Sequence, residues 1–459
     1  MKEKVKNLGL GDLILNRRGS FTLRLLLAIF GTALKLFFRR IETYNAGVVP
    51  PDKPVIFVLN HPNGLIDPAL VFVAMPRKIS FLAKSTLFKM PVISFLLRTV
   101  EALPLYRQID AGADVSKNQQ TFAVCRELLK KGGAIALFPE GVSHDSPKVL
   151  PAKTGAARIA LGTVSVEGEG APIELNIVPV GLFYTSKTKF RSEALLHYGE
   201  PFRVIPVELE EDGQPPKLPV KALTKQIEEA IREVTVNAET AAELQTAQIA
   251  ERIFSSTYEN ENLAEKLDFL KNYIAEQEED GADPENIELK ERLVKYEKRL
   301  DELGLEAEHL SLSQVSKWFV IKRAFLQIWP LLLLSPLSIA GAAIHYIPYK
   351  LCNVAARRFT KHGEDDIVST VKFMSGMVLM PLTWIIAASA LGFFWGWKIG
   401  LLSAPVTMAC ACAALYTLEE IEEMRGWARA IWQYFRRRET FLRLFVERRE
   451  LLDDLREFD

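Results

Sequence analysis

Cysteine and histidine are scarce in this chain, four and six among 459 residues. Cys125, Cys352, Cys410 and Cys412 form no CxxC pair, and the histidines form no HxxxH or HExxH. Those absences argue against a disulfide scaffold and against a zinc centre. Net charge is absent as well, with 57 basic residues balancing 57 acidic ones. A nucleic-acid binder normally carries a basic excess, so no nucleic-acid partner is expected. The length suggests about three folding units of roughly 150 residues each.

What charge there is avoids three places. Ala324–Tyr349, Phe373–Trp397 and Ile399–Leu418 contain no Asp, Glu, Lys or Arg. A helix of roughly 20 apolar residues crosses the hydrocarbon core of a bilayer, so each stretch is long enough to enter a membrane. One such run would read as a buried core helix; three in succession mark a membrane-embedded C-terminal part. Lys317, Lys322 and Arg323 precede the first run, Lys350, Arg357, Arg358 and Lys361 follow it, and Arg436, Arg437 and Arg438 follow the last. A single crossing by the first run would divide these basic groups between the two sides. Pro330, Pro336 and Pro348 instead suggest a bent hairpin that enters and leaves on one face, with the next two runs forming a spanning hairpin. Labelling at Thr360 tests that arrangement, which keeps every basic cluster cytoplasmic.

Near the N-terminus, Phe21–Phe38 is apolar but carries Arg24 and Lys35. At 100° per residue these two fall about 20° apart, with Arg17 and Arg39 near the same line. One basic line on an apolar helix describes a segment lying in the membrane interface, its charged heads reaching for phosphates.

Between these ends the pattern changes. Residues 54–60, 78–83, 102–106, 134–138 and 175–181 read as short apolar strands, and 116–131 and 154–161 as helices. Apolar strands alternating with helices predict an α/β layer with both sheet faces covered. Residues 237–317 are rich in Glu, Lys, Leu and Ala, broken by a turn at Gly281–Pro284. The chain thus divides into an interfacial N-terminal helix (1–45), an α/β domain (46–236), a helical appendage (237–317), a membrane domain (318–418) with a re-entrant first run, and a cytoplasmic amphipathic C-terminal helix (419–459).

Four motifs carry chemistry. Asn60, His61, Pro62, Asn63, Gly64, Leu65, Ile66 and Asp67 follow the first strand. A carboxylate beside an imidazole fixes the tautomer and stabilises the imidazolium, as a general base requires. Six residues apart, His61 and Asp67 would not share a helix face, so they meet only if the chain turns between them, which Pro62, Asn63 and Gly64 permit. The run AIALFPEG (134–141) is a strand broken at Pro139-Glu140-Gly141, placing Glu140 where open α/β sheets bind ligands and a backbone open to close approach at Gly141. Pro104–Arg107 is a strand ending in Arg107, whose planar fork suits a phosphate. Lys153 stands just before a predicted helix N-terminus, where anions are favoured. The first three have plain alternatives when taken alone: a turn histidine, a surface turn carrying an ordinary glutamate, and a surface arginine.

In this order and spacing the residues resemble the glycerolipid acyltransferase superfamily, over roughly 46–205. The resemblance rests on Asn60, His61 and Asp67, on Arg107, on Phe138 to Gly141, on Lys153 and Gly155, and on Val178 to Gly181. His61 and Asp67 have five residues between them rather than four, which resembles the fungal-type glycerol-3-phosphate/dihydroxyacetone-phosphate acyltransferases and their bacterial relatives. Val234–Asn237 and Glu243–Arg252 resemble the same branch. The resemblance implies an α/β acyltransferase domain with a helical appendage and C-terminal membrane helices. It implies that His61, oriented by Asp67, deprotonates a glycerol hydroxyl that attacks an acyl thioester directly. Arg107 and Lys153 would hold the acceptor's phosphate, and Glu140 would position the glycerol through its hydroxyls beside Gly141. No metal or cofactor is expected beyond the co-substrate, acyl-CoA or acyl carrier protein. The acceptor would be glycerol 3-phosphate or dihydroxyacetone phosphate, with lysophosphatidate as the alternative, at the cytoplasmic face of a membrane, most simply a bacterial inner membrane.

Two other readings stand beside this one. Gly141-Val142-Ser143-His144-Asp145 approaches a serine-hydrolase elbow, but Asp145 occupies the place of the second glycine. A catalytically inactive lipid-binding scaffold is the non-enzymatic alternative. Cys410 and Cys412 read as small packing residues, and His345, beside Tyr346 and Pro348, as an interfacial residue near a bend.

Overall fold

The computed structural model describes residues 5–14, 20–110, 114–165, 173–257, 262–279, 283–310, 317–359 and 365–458. Arg17, Gly281, Ala282, Thr360 and Lys361, which entered the expectations above, lie outside them. The chain forms two compact units, Met1–Glu239 with Thr360–Thr370, and Thr240–Phe359 with Val371–Asp459.

In chain order the first unit contains β1 (Lys6–Asn7), α1 (Leu10–Ile14), α2 (Phe21–Phe37), β2 (Arg40–Tyr44), β3 (Val55–Leu59), α3 (Ile66–Ala74), β4 (Ser80–Lys84), α4 (Pro91–Thr99) and β5 (Leu103–Leu105). It continues with α5 (Asn118–Lys130), β6 (Ala134–Leu137), α6 (Gly155–Val164), β7 (Asn176–Tyr184), β8 (Glu193–Tyr198), β9 (Phe202–Arg203) and α7 (Lys217–Glu233). All five strands expected from the sequence are present, as β3 to β7. They lie side by side in the sheet order β1-β2-β8-β7-β3-β6-β4-β5, with β9 on β7. β3 pairs in parallel with both β6 and β7, β4 with β5 and β6, and β2 with β8, whereas β7 and β8 are antiparallel. The wholly apolar β3 is buried along its whole length, as a central parallel strand must be. Ile56 and Val58 join Ile135 in a core with Cys125 and Leu129 of α5, Ala156 and Ile159 of α6, and Ile227 and Ile231 of α7. Burial pushes the Cys125 thiol up to about 12, so it serves as a packing group.

The N-terminal helix differs from expectation. α2 belongs to this unit, packing against α1 and α3 and burying Leu23, Leu27, Gly31, Leu34 and Phe37. β2, also before residue 46, is part of the sheet, so the expected boundary there does not exist. Lys35 does not reach outward: its Nζ donates to the Leu8 carbonyl at 3.0 Å. Burial, followed by the nearby Arg191, holds its ammonium below the usual lysine range. Arg191 in turn donates to the carbonyls of Lys35, Leu36 and Phe38 at the C-terminal end of α2. The basic line on the helical wheel is broken because one member is needed inside.

The second unit comprises α8 (Ala241–Ser255), α9 (Leu263–Glu279), α10 (Pro284–Leu303), α11 (Lys317–Phe359), α12 (Asp365–Trp395), α13 (Trp397–Arg436) and α14 (Arg438–Leu455), though the first turns of α12 fall with the first unit. A capping box of Thr240 and Glu243 opens α8, satisfying two backbone donors reciprocally. Three helices, over Ile328–Phe359, Ile367–Trp395 and Trp397–Arg436, are long and apolar enough to cross a membrane. The re-entrant bend expected of the first run is absent: α11 is one helix with Pro330, Pro336 and Pro348 inside it. A proline removes one i→i−4 donor, and here Ser335 Oγ donates to the Leu332 carbonyl that Pro336 leaves unmet, at 2.8 Å. Such local repair keeps proline-containing apolar helices continuous. α11 and α13 meet along small residues: a Cβ at Gly341 would lie 2.0 Å from the Cys410 carbonyl oxygen, and Ser338 Oγ shares a hydrogen bond with Thr417 Oγ1 at 2.6 Å. His345 is not at a bend. Its Nδ1 is 2.9 Å from the Gly341 carbonyl and its Nε2 accepts from Trp384 of α12 at 2.9 Å. The amphipathic C-terminal part is divided between two helices: residues up to Arg436 continue α13, and α14 buries Phe441, Leu444, Leu451 and Leu455 and packs on α8 and α10.

Candidate active site

β3 delivers Asn60 and His61 to the C-terminal edge of the parallel strands, the usual ligand edge of an open α/β sheet. The Asn60 side chain extends the ladder in place of a peptide group, with Leu182 N–H donating to its Oδ1 at 2.7 Å and its Nδ2 donating to the Leu182 carbonyl at 3.1 Å. The chain then turns through Gly64 at φ +34° and enters α3, so that Asp67 sits in the first helical turn, where a carboxylate is favoured. The turn that the His61–Asp67 spacing required is therefore present.

Asp67 is wholly buried. Its Oδ2 accepts from His61 Nδ1 at 2.8 Å and from the Asn63 N–H at 2.7 Å, and its Oδ1 accepts from Tyr184 Oη at 2.6 Å. With Nδ1 as donor, the His61 lone pair is on Nε2, which has no hydrogen-bond partner among the described residues. The ring stacks on Phe138 at 4.1 Å between centroids. Burial, with the Asp67 charge next, holds the Tyr184 phenol well above its usual range, so it remains a donor to Asp67. Tyr184 was not anticipated. It ends the apolar strand β7, where an aromatic reads as core, and nothing in its own strand announces the Asp67 carboxylate that its hydroxyl meets.

Glu140 follows β6, in a turn where Gly141 adopts φ +80°, a left-handed conformation that suits glycine. The expectation that Glu140 faces a glycerol is not met. The side chain points inward, 2% exposed, and accepts from the His61 N–H at 2.9 Å, the Leu150 N–H at 3.1 Å, and His144 Nε2. The carboxylate holds the His61 loop and is already satisfied, which is what a buried charge demands. The loop beyond the turn is braced from the far end of the unit, where Asn237 Oδ1 accepts from the Val149 N–H at 3.1 Å. The chain at Val234 presses on Gly181, whose Cβ would lie 1.9 Å from the Val234 carbonyl. Two stretches singled out in the sequence, Val178–Gly181 and Val234–Asn237, are thus a packing contact and a loop brace.

Arg107 follows β5. Its Nε and Nη2 grip Asp110 at 3.1 and 2.9 Å, and its Nη1 donates to the Gly141 carbonyl at 2.5 Å. Lys84 also pairs with Asp110, at 3.1 Å. The Arg107 hydrogen bond, ahead of Lys84, holds the Asp110 carboxyl below its usual range. Three of the five guanidinium N–H groups are engaged and two remain. Lys153 is exposed; its N–H donates to the Pro139 carbonyl at 2.7 Å, and its side chain passes 3.6 Å from the Cβ position of Gly141. His61, Asp67, Arg107, Glu140, Gly141 and Lys153 are therefore joined in one constellation, with Glu140 inside it rather than lining it. His144, met first in the serine-elbow pattern, has both ring nitrogens occupied by Glu140 and the Ser146 N–H.

The family model described as Acyltransferase matches residues 40–182, the stretch that carries this constellation. The chain is similar to glycerol-3-phosphate O-acyltransferase 2 of Saccharomyces cerevisiae, 28% identical over 285 residues, covering 60% of this chain and 38% of the relative. It is also similar to the uncharacterized acyltransferase C1718.04 of Schizosaccharomyces pombe, 29% identical over 56% of this chain and 39% of the relative. A third relative is the chloroplastic 1-acyl-sn-glycerol-3-phosphate acyltransferase BAT2 of Brassica napus, 30% identical over 32% of this chain and 39% of the relative. The chain spans less than two-fifths of the length of each of these relatives. Order of motifs, geometry and family match agree: residues 40–182 are an acyltransferase domain.

Proposed function

We propose that the protein is a membrane-bound O-acyltransferase that moves a fatty acyl group from an acyl thioester, on CoA or acyl carrier protein, to the hydroxyl of glycerol 3-phosphate or dihydroxyacetone phosphate. The observation that carries this reading is the His61 imidazole, locked by Asp67 through Nδ1 with Nε2 open. Nε2 takes the acceptor hydroxyl proton as the oxygen attacks the thioester carbonyl. The C–S bond then breaks, and the imidazolium returns the proton to the departing thiolate. No acyl-enzyme forms. The two remaining N–H groups of Arg107 and the ammonium of Lys153 bind the acceptor's phosphate, the charge-assisted contacts such a dianion requires. The three apolar helices suit substrates and products that partition into lipid, and cytosolic acyl thioesters place the site on the cytoplasmic face. The similarity to enzymes named for 1-acyl-sn-glycerol-3-phosphate supports a second reading in which lysophosphatidate is the acceptor.

The test follows thiol release from palmitoyl-CoA by the protein in liposomes, with glycerol 3-phosphate, dihydroxyacetone phosphate or lysophosphatidate offered in turn. Turnover with one of the first two, abolished in His61→Ala, is the expected result. Turnover with lysophosphatidate alone selects the second reading, and none with any acceptor, with acyl carrier protein as donor included, removes the enzyme.

A further inference from the structure

We infer that His144 is a positioning residue for the reaction, clamping the backbone of His61 through the buried Glu140 carboxylate. The inference rests on the reading of His61 as general base. Both backbone groups of His61 are held: its N–H donates to Glu140 Oε1 at 2.9 Å, and its carbonyl accepts from the His144 N–H at 3.2 Å. The same two residues are bonded to each other, His144 Nε2 to Glu140 Oε2. Because the Ser146 N–H donates to His144 Nδ1 at 3.1 Å, that nitrogen is an acceptor and the ring proton is on Nε2. His144 is therefore a neutral donor to Glu140, fixed in one tautomer by the backbone two residues on.

Glu140 receives three donors, from His61, Leu150 and His144, and only the last comes from a side chain. Removing it leaves a buried carboxylate oxygen short of a donor, a loss that the surrounding loop can repair only by moving. The Leu150 N–H stays on that oxygen and the His61 N–H on the other oxygen of the same carboxylate, so a shift of Glu140 is carried to the base. A misplacement of about 1 Å at a reacting group can cost about 100-fold in rate.

The decisive comparison is His144→Gln against His144→Met, side chains of nearly equal size of which only Gln can donate to Glu140. The expected result is that His144→Met lowers kcat about 30-fold or more, the consequence of one unmet buried carboxylate contact, and that His144→Gln turns over at least about ten times faster than His144→Met. KM for the acyl donor and acceptor should change far less than kcat. A packing role alone would give the two variants equal rates, which would overturn the inference. Hydrogen–deuterium exchange of the full chain in detergent, read in the peptide containing His61, provides a readout independent of turnover. His144→Met should speed exchange in that peptide and His144→Gln should restore protection. Unaltered exchange in His144→Met overturns the clamp even where turnover is seen, and faster exchange in a protein inactive toward every acceptor would sustain the clamp while removing the acyltransferase reading. Should His144→Met fail to give a cooperative thermal transition, His144→Leu supplies the same donor-free comparison.

Discussion

The catalytic unit and the helical unit each hold a half-buried histidine among hydrogen bonds, and they use it differently. In the helical unit, His345 spends both nitrogens on its neighbours, the Gly341 carbonyl of its own helix and the indole of Trp384. In the catalytic unit, His61 spends one nitrogen on Asp67 and keeps the other open. The first arrangement is a pin between helices; the second is a base. Everything around His61 supports that asymmetry. Tyr184 and the Asn63 N–H complete the shell of Asp67, Glu140 and His144 hold the backbone, and Phe138 faces the ring. A hydrogen-bonded network fixes geometry, and chemistry enters at His61 Nε2, which that network leaves open.

The strongest way to break this comparison is to remove the open nitrogen. His61→Ala should lower kcat by about 1,000-fold or more, within the range for a positioned general base, while circular dichroism shows an unchanged fold; retention of a tenth of the activity would place the base elsewhere. Asp67→Asn comes next, with an expected loss of about 100-fold or more, since an amide can hold the wrong imidazole tautomer. Steady-state kinetics should show it in kcat rather than in KM. Tyr184→Phe removes one donor of three from Asp67 and should cost about tenfold in kcat, equivalent to about 1.4 kcal/mol. Smaller effects concern stability. The lowered Asp110 carboxyl contributes stability that is fully present above the ordinary carboxylate range, about pH 4, and is lost as pH falls through its own lower value. Wild type should therefore melt above Asp110→Asn at pH 7, with the gap closing in acid; a gap that widens in acid would reverse the assigned cause. Last, Trp384→Phe unpins His345 and should leave turnover in liposomes within twofold of wild type while costing roughly 0.6 kcal/mol, the average for such bonds between membrane helices.

Much of the sheet was legible because its central strands are buried on both faces and so read as continuous apolar runs. β2 (RIETY) and β8 (EALLHY) escaped, since each mixes charged or polar groups into the pattern: Arg40 pairs with Glu193 across the two strands at 3.0 Å, a partnership that exists only after folding. The loop from Asn60 to Asp67 was legible because its turn residues and spacing admit one way for His61 and Asp67 to meet. The direction of Glu140 was not. A carboxylate in a Pro-Glu-Gly turn looks exposed until the three donors around it are assembled from residues 61, 144 and 150. The prolines of α11 misled for a similar reason, because the hydroxyl that repairs the break at Pro336 is a serine that ordinary sequence rules assign no such duty. Lys35 looked like a member of a basic stripe because nothing in its own helix announces the Leu8 carbonyl that draws it inward.

The claim that His61 activates the acceptor for direct attack is tested most directly by rapid-quench measurement of thiol release from palmitoyl-CoA on wild-type protein, with and without glycerol 3-phosphate. Direct transfer predicts that thiol appears only when the acceptor is present, in a steady phase that His61→Ala abolishes. A burst of one thiol per protein without acceptor, with the acyl group retained on the chain, is the signature of a covalent intermediate and would contradict the account.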